Sequence, residues 1–242
     1  MTQPFTPIGF LKTCFTEKFG VPRQSMMMTE ARGILKLNPN PAFPAALNHL
    51  EKFSHIWVIF LFHKHEGRSW RPTITPPRID APEKIGVFAS RSPHRPNPIG
   101  LSAVRLEQIN FEPPDGIELT LSGIDILDGT PVLDIKPYLP FADRIAAANE
   151  GWATGDIARF AVSFSPESLE IIKNVQTEAC PRLQRLITQM LEWDPRPTSQ
   201  KRAFPMDEPS SEGMTFAFRL LNIDVHWQIR QGSCYVFAII LK

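Results

Sequence analysis

The sequence predicts a mainly β protein: an antiparallel barrel or sandwich through residue 165, then a small α+β domain over 166–242. Three observations carry this. Short apolar runs of strand length, rich in Ile, Val, Phe and Leu, recur in the first part and are parted by proline- and glycine-rich turns. Proline makes up 24 of the 242 residues, about twice the usual share, and leaves little room for helices there. Near Ser165 the apolar pattern switches to helical spacing, and it returns to strands from Met214.

Taken in order, strands are expected at Phe5–Thr13, Arg32–Leu37, His55–Phe62, Ile85–Ala89, Gly100–Phe111, Gly116–Ile124 and Asp156–Phe164. One helix, Ala42–Phe53, interrupts them, with Leu47, Leu50 and Phe53 at helical spacing. Pro72, Pro76, Pro77, Pro82, Pro93, Pro96 and Pro98 each fix φ and push the preceding residue towards extended geometry. With apolar strands on both sides, that stretch reads as a stiff loop. Ser165-Pro166-Glu167-Ser168 opens a helix, with a serine N-cap, proline at the first position and an early glutamate. A second helix runs from about Pro181 to Trp193 and stops at Asp194-Pro195-Arg196-Pro197. A polar linker, Ser199–Glu212, leads to strands Met214–Leu221, Ile223–Ile229 and Cys234–Leu241, the last two joined by a turn at Gln231-Gly232-Ser233.

A hydrophobic share of 43% is enough for a sizeable core, and no apolar run reaches the roughly 18 residues of a membrane span. The first residues show no basic region followed by an apolar stretch, so no secretory signal is expected and the cytoplasm is the expected compartment. Cys14, Cys180 and Cys234 are far apart and read as buried free thiols. His63 and His65 alternate as some metal ligands do, but no third and fourth ligands stand at a matching spacing, so no metal is expected.

Net charge is only +1, yet seven Lys or Arg against three Asp or Glu fall between Lys64 and Arg95. A basic segment in a near-neutral chain points to a polyanion at one face, although scattered arginines on a loop are also compatible with plain solvation. The densest unusual composition is Arg91-Ser92-Pro93-His94-Arg95-Pro96-Asn97-Pro98-Ile99-Gly100-Leu101. Its prolines hold an extended backbone that presents Arg91, Arg95 and Asn97 at fixed angles, and arginine's planar fork suits carboxylate and phosphate. Gly100 admits a close approach of backbone or ligand. A second cluster, Asp125-Ile126-Leu127-Asp128-Gly129-Thr130, sets carboxylates beside a turn and leads to Asp134, and a third, Pro22-Arg23-Gln24, follows the first strand. No glycine-rich loop of the Rossmann type follows a strand, so a doubly wound fold of that type is a poor candidate.

Two long phrases, Ser92–Gly100 with its Arg-Pro-Asn-Pro-Ile-Gly core and Asp128–Tyr138 with Asp-Gly-Thr-Pro-Val, resemble those of the TsaA-like family, whose characterised members are the TrmO tRNA methyltransferases. Glu17-Lys18-Phe19 with Pro22-Arg23-Gln24, Trp70-Arg71-Pro72-Thr73 and Asp194-Pro195-Arg196-Pro197 are similar to that family too, so the likeness spans nearly the whole chain. The resemblance implies a single-sheet β-barrel that binds S-adenosylmethionine near a homodimer interface. It implies methylation of the exocyclic amino nitrogen of adenosine 37 of tRNA, already carrying a threonylcarbamoyl group.

Carried over by position, the cofactor contacts are Pro22, Arg23, Gln24, His63, Lys64, Arg91, Leu101 and the turn Asp125, Ile126, Leu127, Asp128. Arg68, Arg71, Arg95, Asn97, Arg196 and Lys201 are the candidates for RNA, and Trp70 beside Arg68 and Arg71 is a candidate to stack on a base. The α+β domain is expected to contact tRNA. Methyl transfer to a weak nitrogen nucleophile gains from positioning and from a base. Asp134, Asp128, His94 and the substrate's own carboxylate are the alternatives for that base; Asp128 and Asp134 could equally close a turn and cap strands. Family members carry a tyrosine two residues after the Asp-Pro-Arg-Pro phrase, where Thr198 and Ser199 stand here. Two other functions fit the residues: a non-catalytic binder of adenosylmethionine or nucleotide, and a methyltransferase for a different acceptor.

Overall fold

The computed structural model describes residues 4–18, 20–65, 67–76, 84–113, 116–154, 157–175 and 180–242. Phe19, Pro77, Pro82 and Asp156, named above, lie outside the described residues. In chain order the strands are β1 Gly9–Thr13, β2 Arg32–Leu37, β3 His55–Leu61, β4 Thr73–Ile74, β5 Ile85–Gly86, β6 Ile99–Asn110, β7 Glu118–Ser122, β8 Thr130–Pro137, β9 Val162–Phe164, β10 Thr215–Leu220, β11 Ile223–Arg230 and β12 Ser233–Leu241. The α-helices are α1 Phe43–Ala46, α2 Pro140–Asp143, α3 Pro166–Val175, α4 Leu183–Glu192 and α5 Thr198–Ala203.

Six strands close a barrel in the order β1-β2-β7-β6-β3-β8, with every neighbouring pair antiparallel. Closure removes the unpaired edges an open sheet would present. Alternation along β3 decides what fills it: Ile56, Val58 and Phe60 point inward and are buried, while Trp57, Ile59 and Leu61 face outward. Val104, Leu106, Leu119, Leu121 and Val132 complete the interior. Gly100 pairs directly with Phe60, and a Cβ there would stand 2.2 Å from the ring. The close approach expected at Gly100 is therefore made by an aromatic ring of the barrel.

The strand that closes the barrel, β8, was not legible as one. Ile59 pairs with Asp134 and Phe60 with Val132, which leaves Leu133 outside the ladder. That bulge breaks the period-two pattern by which a strand is read. The helix expected over 42–53 is only α1 and a short 3₁₀ turn at Leu50–Lys52, because His49 takes a left-handed φ of 69° between them. Ile85–Ala89 keeps two strand residues and turns into a 3₁₀ segment.

The second region is a four-stranded sheet, β10-β11-β12-β9, with α3 and α4 against it. Among the described residues of the strand expected over Asp156–Phe164, Val162–Phe164 forms, and it lies parallel to β12 in this sheet, outside the barrel. Ser165 caps α3, its Oγ accepting from the Ser168 N–H at 3.1 Å. The hairpin turn at Gln231 and Gly232 has φ of 50° and 68°, the primed geometry that suits strand twist. Within the linker expected over 199–212, Thr198–Ala203 forms α5. α4 buries Leu183, Leu186, Ile187, Met190 and Leu191, and its Gln189 reaches the barrel: Oε1 accepts from Glu30 N–H at 3.0 Å and Nε2 donates to Thr29 Oγ1 at 2.9 Å. Trp193 Nε1 donates to Met27 O at 3.0 Å, and Arg182 pairs with Glu30 at 2.8 Å. All three cysteines are buried and free, and Cys14 of the barrel contacts Cys180 of the second region.

Candidate active site

Four segments meet at one end of the barrel: the turn after β3, the proline-rich loop before β6, the turn before β8 and the loop between β1 and β2. Backbone bonds set the first two together, Phe62 N–H to Pro98 O at 2.7 Å and Arg71 N–H to His94 O at 3.1 Å. Arg95 braces the loop from within, its guanidinium donating to Ser90 O at 2.8 Å and more weakly to Val87 and Ser92 carbonyls. The result is two adjoining cavities that share Phe62, His63, His65 and Pro93 as a common wall.

The smaller cavity, about 220 Å³, is mostly apolar. Phe60 and Phe62 floor it, and His63, Lys64, Asp125, Ile126 and Leu127 rim it, so five expected cofactor residues are brought together there. Thr130 fixes two of the segments: its Oγ1 donates to Leu127 O at 2.6 Å and lies 3.3 Å from His63 Nδ1. Asp125 is the chemically charged part of the wall. Burial pushes its carboxyl above the usual range, opposed by bonds from the Ser102 hydroxyl and the Ser25 backbone and by the Arg91 charge. Its Oδ1 is buried and has no hydrogen-bond partner among the described residues.

Arg91 donates to Gln24 Oε1, which joins the 22–24 loop to the proline-rich loop. That loop is held from behind by α4 through Thr29, Glu30 and Met27, so the second region props a wall of the site. Arg23, expected at the cofactor, donates instead to Arg196 O at 3.2 Å.

The larger cavity, about 310 Å³, lies between the turn at 63–71 and the proline-rich loop. Trp70 and Arg68 are exposed at it, and His65 meets His94 edge-on with ring centroids 4.7 Å apart. Burial first, then the charges of Lys18, His94, Arg68 and His63, push His65 down to about 4. His94 and Lys18 are lowered for the same reasons, burial and then neighbouring cations. Cationic charge converges here without matching acid: among the described lining residues none is Asp or Glu.

Other expected site residues stand elsewhere. Asp128 Oδ1 accepts from the Thr13 N–H at 2.8 Å and so ties the turn to β1, the strand-capping alternative. Asp134 is on the barrel's outer face beside Ile59; it binds its neighbour's N–H and pairs with Lys136 at 3.0 Å. Neither lines the two cavities. Leu101 is 55% exposed on the outer face of β6. Asn97 and Arg71 are exposed.

Arg196 is not at the surface. It is 3% exposed, paired with Asp194 through two nitrogens at 2.7 and 2.8 Å, bonded to Phe204 O and stacked over Phe216 and Trp227. Lys201 joins the same cluster 3.5 Å from Asp194, and burial lowers it to about 8 against that carboxylate's pull. Both are corrections to the RNA-contact set, since a guanidinium satisfied on every side has nothing left for a phosphate.

Sequence reasoning missed Phe60, Phe62, Thr130, Ser102 and the role of His65. Phe60 and Phe62 read as core, and only the Gly100 opposite Phe60 signals that a ring needs room there. Among the described residues, no group of three His, Cys, Asp or Glu could hold a metal, and no helix is long and apolar enough to cross a membrane.

A closed antiparallel barrel with two adjoining cavities at one end, one lined by a buried aspartate and the other by cationic side chains, is a different class of fold from the doubly wound Rossmann sheet. The family models for the tRNA-methyltransferase O N-terminal domain and the TrmO C-terminal domain match residues 10–144 and 157–242. The chain belongs to the TrmO family. It is 38% identical to the tRNA (adenine(37)-N6)-methyltransferase of Escherichia coli over 97% of both chains. It is 44% identical to the "Putative S-adenosylmethionine-dependent methyltransferase RcsF" of Pseudomonas aeruginosa, covering 94% of this chain and 93% of that one. The crystal structure of TrmO from P. aeruginosa superimposes with a TM-score of 0.77 at 41% identity, covering 100% of this chain and 98% of that one.

Proposed function

We propose that this protein transfers a methyl group from S-adenosylmethionine to the exocyclic amino nitrogen of adenosine 37 in tRNA, and that the adenosine it accepts carries a threonylcarbamoyl group. The single observation that carries the reading is the smaller cavity, where family-matched residues and an unpaired Asp125 oxygen converge. The residues fit the cofactor. Asp125 offers an acceptor for ribose hydroxyls or an ammonium, Arg91 a fork for a carboxylate, and Ile126 and Leu127 a backbone edge for adenine. S-adenosylmethionine supplies an electrophilic methyl on a sulfonium when bound. The protein's part is positioning: Phe60, Phe62 and Pro93 exclude water, and the Gln24–Arg91 bond fixes the loop over the cavity.

Label incorporation from methyl-labelled adenosylmethionine into tRNA purified with and without the threonylcarbamoyl group tests the reading. Label in the modified pool alone supports both reaction and substrate. Cofactor binding without label in either pool would leave a binder or a different acceptor. A homodimer belongs to the same reading: Ile99 and Leu101 stand exposed beside Ile59 and Leu61 on the outer face of β6 and β3. A second copy on that face would cover them and bring Leu101 to an interface. Sedimentation of Leu101→Asp as a monomer, against a wild-type dimer, is the expected result.

A further inference from the structure

The larger cavity adjoins the one assigned above to the cofactor, and its composition differs from its neighbour's. Its rim is aromatic on one side, with Trp70 48% exposed and free of hydrogen bonds among the described residues. On the other side stands the edge-on pair of His65 and His94. An exposed aromatic face at a cavity, as Trp70 offers, suits a nucleobase taken out of its stack, since each base has a π-face and stacking tolerates any sequence. The cavity also shares its wall, Phe62, His63, His65 and Pro93, with the smaller cavity, so a base in one lies next to a donor in the other.

Charge narrows the ligand further. Arg68 is exposed at the rim, without an acidic partner among the described residues. Lys18, His65 and His94 all sit in its field, and among the described residues no carboxylate offsets it. Arg95 differs, because its guanidinium is occupied by three loop carbonyls. Arg68 is therefore the fork left to meet an anion at the cavity's mouth.

We infer that the larger cavity is the acceptor pocket: it receives the target adenine stacked on Trp70, and Arg68 grips the carboxylate of the substituent on that adenine. The inference rests on the methyltransferase reading above and adds the group that selects the modified base. A phosphate of the RNA is the other anion Arg68 could meet, and the two sources separate experimentally.

The probes are an anticodon stem-loop RNA carrying threonylcarbamoyl-adenosine and the same RNA with plain adenosine, titrated against the full chain. Wild type is expected to hold the modified loop about tenfold more tightly, the scale of one charge-assisted pair. Arg68→Gln is expected to abolish that preference, weakening the modified loop by about tenfold more than the plain one. Equal weakening of both loops would make Arg68 a phosphate contact and overturn the inference, as would no change in either. Trp70→Leu is expected to weaken both loops by about tenfold, with Trp70→Phe restoring most of it; an unaffected Trp70→Leu sinks the stacking half. A readout independent of turnover is the titration of the His65 ring by NMR, assigned with His65→Gln. The modified loop should raise its midpoint from about 4, because an anion favours the protonated ring; a midpoint unmoved by the modified loop would place the carboxylate elsewhere. If wild type binds the modified loop as stated but incorporates no methyl, the function reading fails and the pocket stands.

Discussion

The barrel mouth and the Asp194 cluster are built from the same kind of sequence, arginines set between prolines, and use it in opposite ways. At Asp194-Pro195-Arg196-Pro197 the turn folds inward. Asp194 takes a left-handed φ of 49°, its carboxylate grips Arg196 and Lys201, and every polar group in the cluster is met. At the mouth the prolines hold the loop outward instead. Among the described residues Arg68 has no acidic partner there, the His65 and His94 rings meet edge to face, and Asp125 keeps an unpaired oxygen. Satisfied charge marks structure; unsatisfied charge beside a cavity marks a place that waits for a ligand.

The strongest way to break that contrast is to remove one arginine from each region. Arg196→Ala strips the buried Asp194 of its two-nitrogen partner and leaves it only Lys201 at 3.5 Å, a loss of up to about 3–5 kcal/mol, the scale of a buried pair broken on one side. Arg68→Ala, at an exposed rim, should stay within about 0.5 kcal/mol. Urea unfolding of the two variants measures both. If Arg196→Ala unfolded as the wild type does but bound tRNA weakly, the cluster would be an RNA surface after all and the contrast would fall.

Most of the barrel was legible because its strands alternate cleanly: β2, β3, β6 and β7 stand within two residues of their expected bounds. β8 was hidden by its bulge at Leu133, and the 42–53 helix was cut by the backbone at His49, neither of which spacing reveals. At the site, His63, Lys64, Asp125, Ile126 and Leu127 were named and do converge. Arg196 and Lys201 were misread because composition cannot tell a basic residue that faces water from one folded against a single aspartate. Asp128 is harder to read for a similar reason: one oxygen of its carboxylate accepts from the Thr13 N–H more than a hundred residues away, a contact spacing cannot show.

Asp125 sharpens the contrast next, because it predicts opposite effects on stability and binding. Its folded carboxyl is raised by burial, so it contributes stability below the ordinary carboxylate range and loses it as pH rises through the raised value. Asp125→Asn removes that loss, and the free protein should gain stability at neutral pH. The same change removes a charged acceptor from the smaller cavity and should weaken adenosylmethionine about tenfold in calorimetry. A variant both less stable and unchanged in cofactor affinity would return Asp125 to the structural side.

The smallest effect belongs to His65, and its sign separates the two regions most simply. The unfolded ring takes up a proton near 6.5 and the folded ring only near 4, so the unfolded state binds more protons between those values. Stability that is complete above 6.5 should therefore decline as pH falls towards 4. Because the ring is half-exposed, the change in melting temperature that it alone causes should be on the order of 2 °C. His94 contributes in the same direction. His65→Gln should flatten part of the slope in the free protein, and so should adding the modified stem-loop RNA, whose anion replaces the missing counter-charge. A slope untouched by both would mean that the cations around the cavity are already neutralised by water and salt, and that the mouth is no more unsatisfied than the cluster behind it.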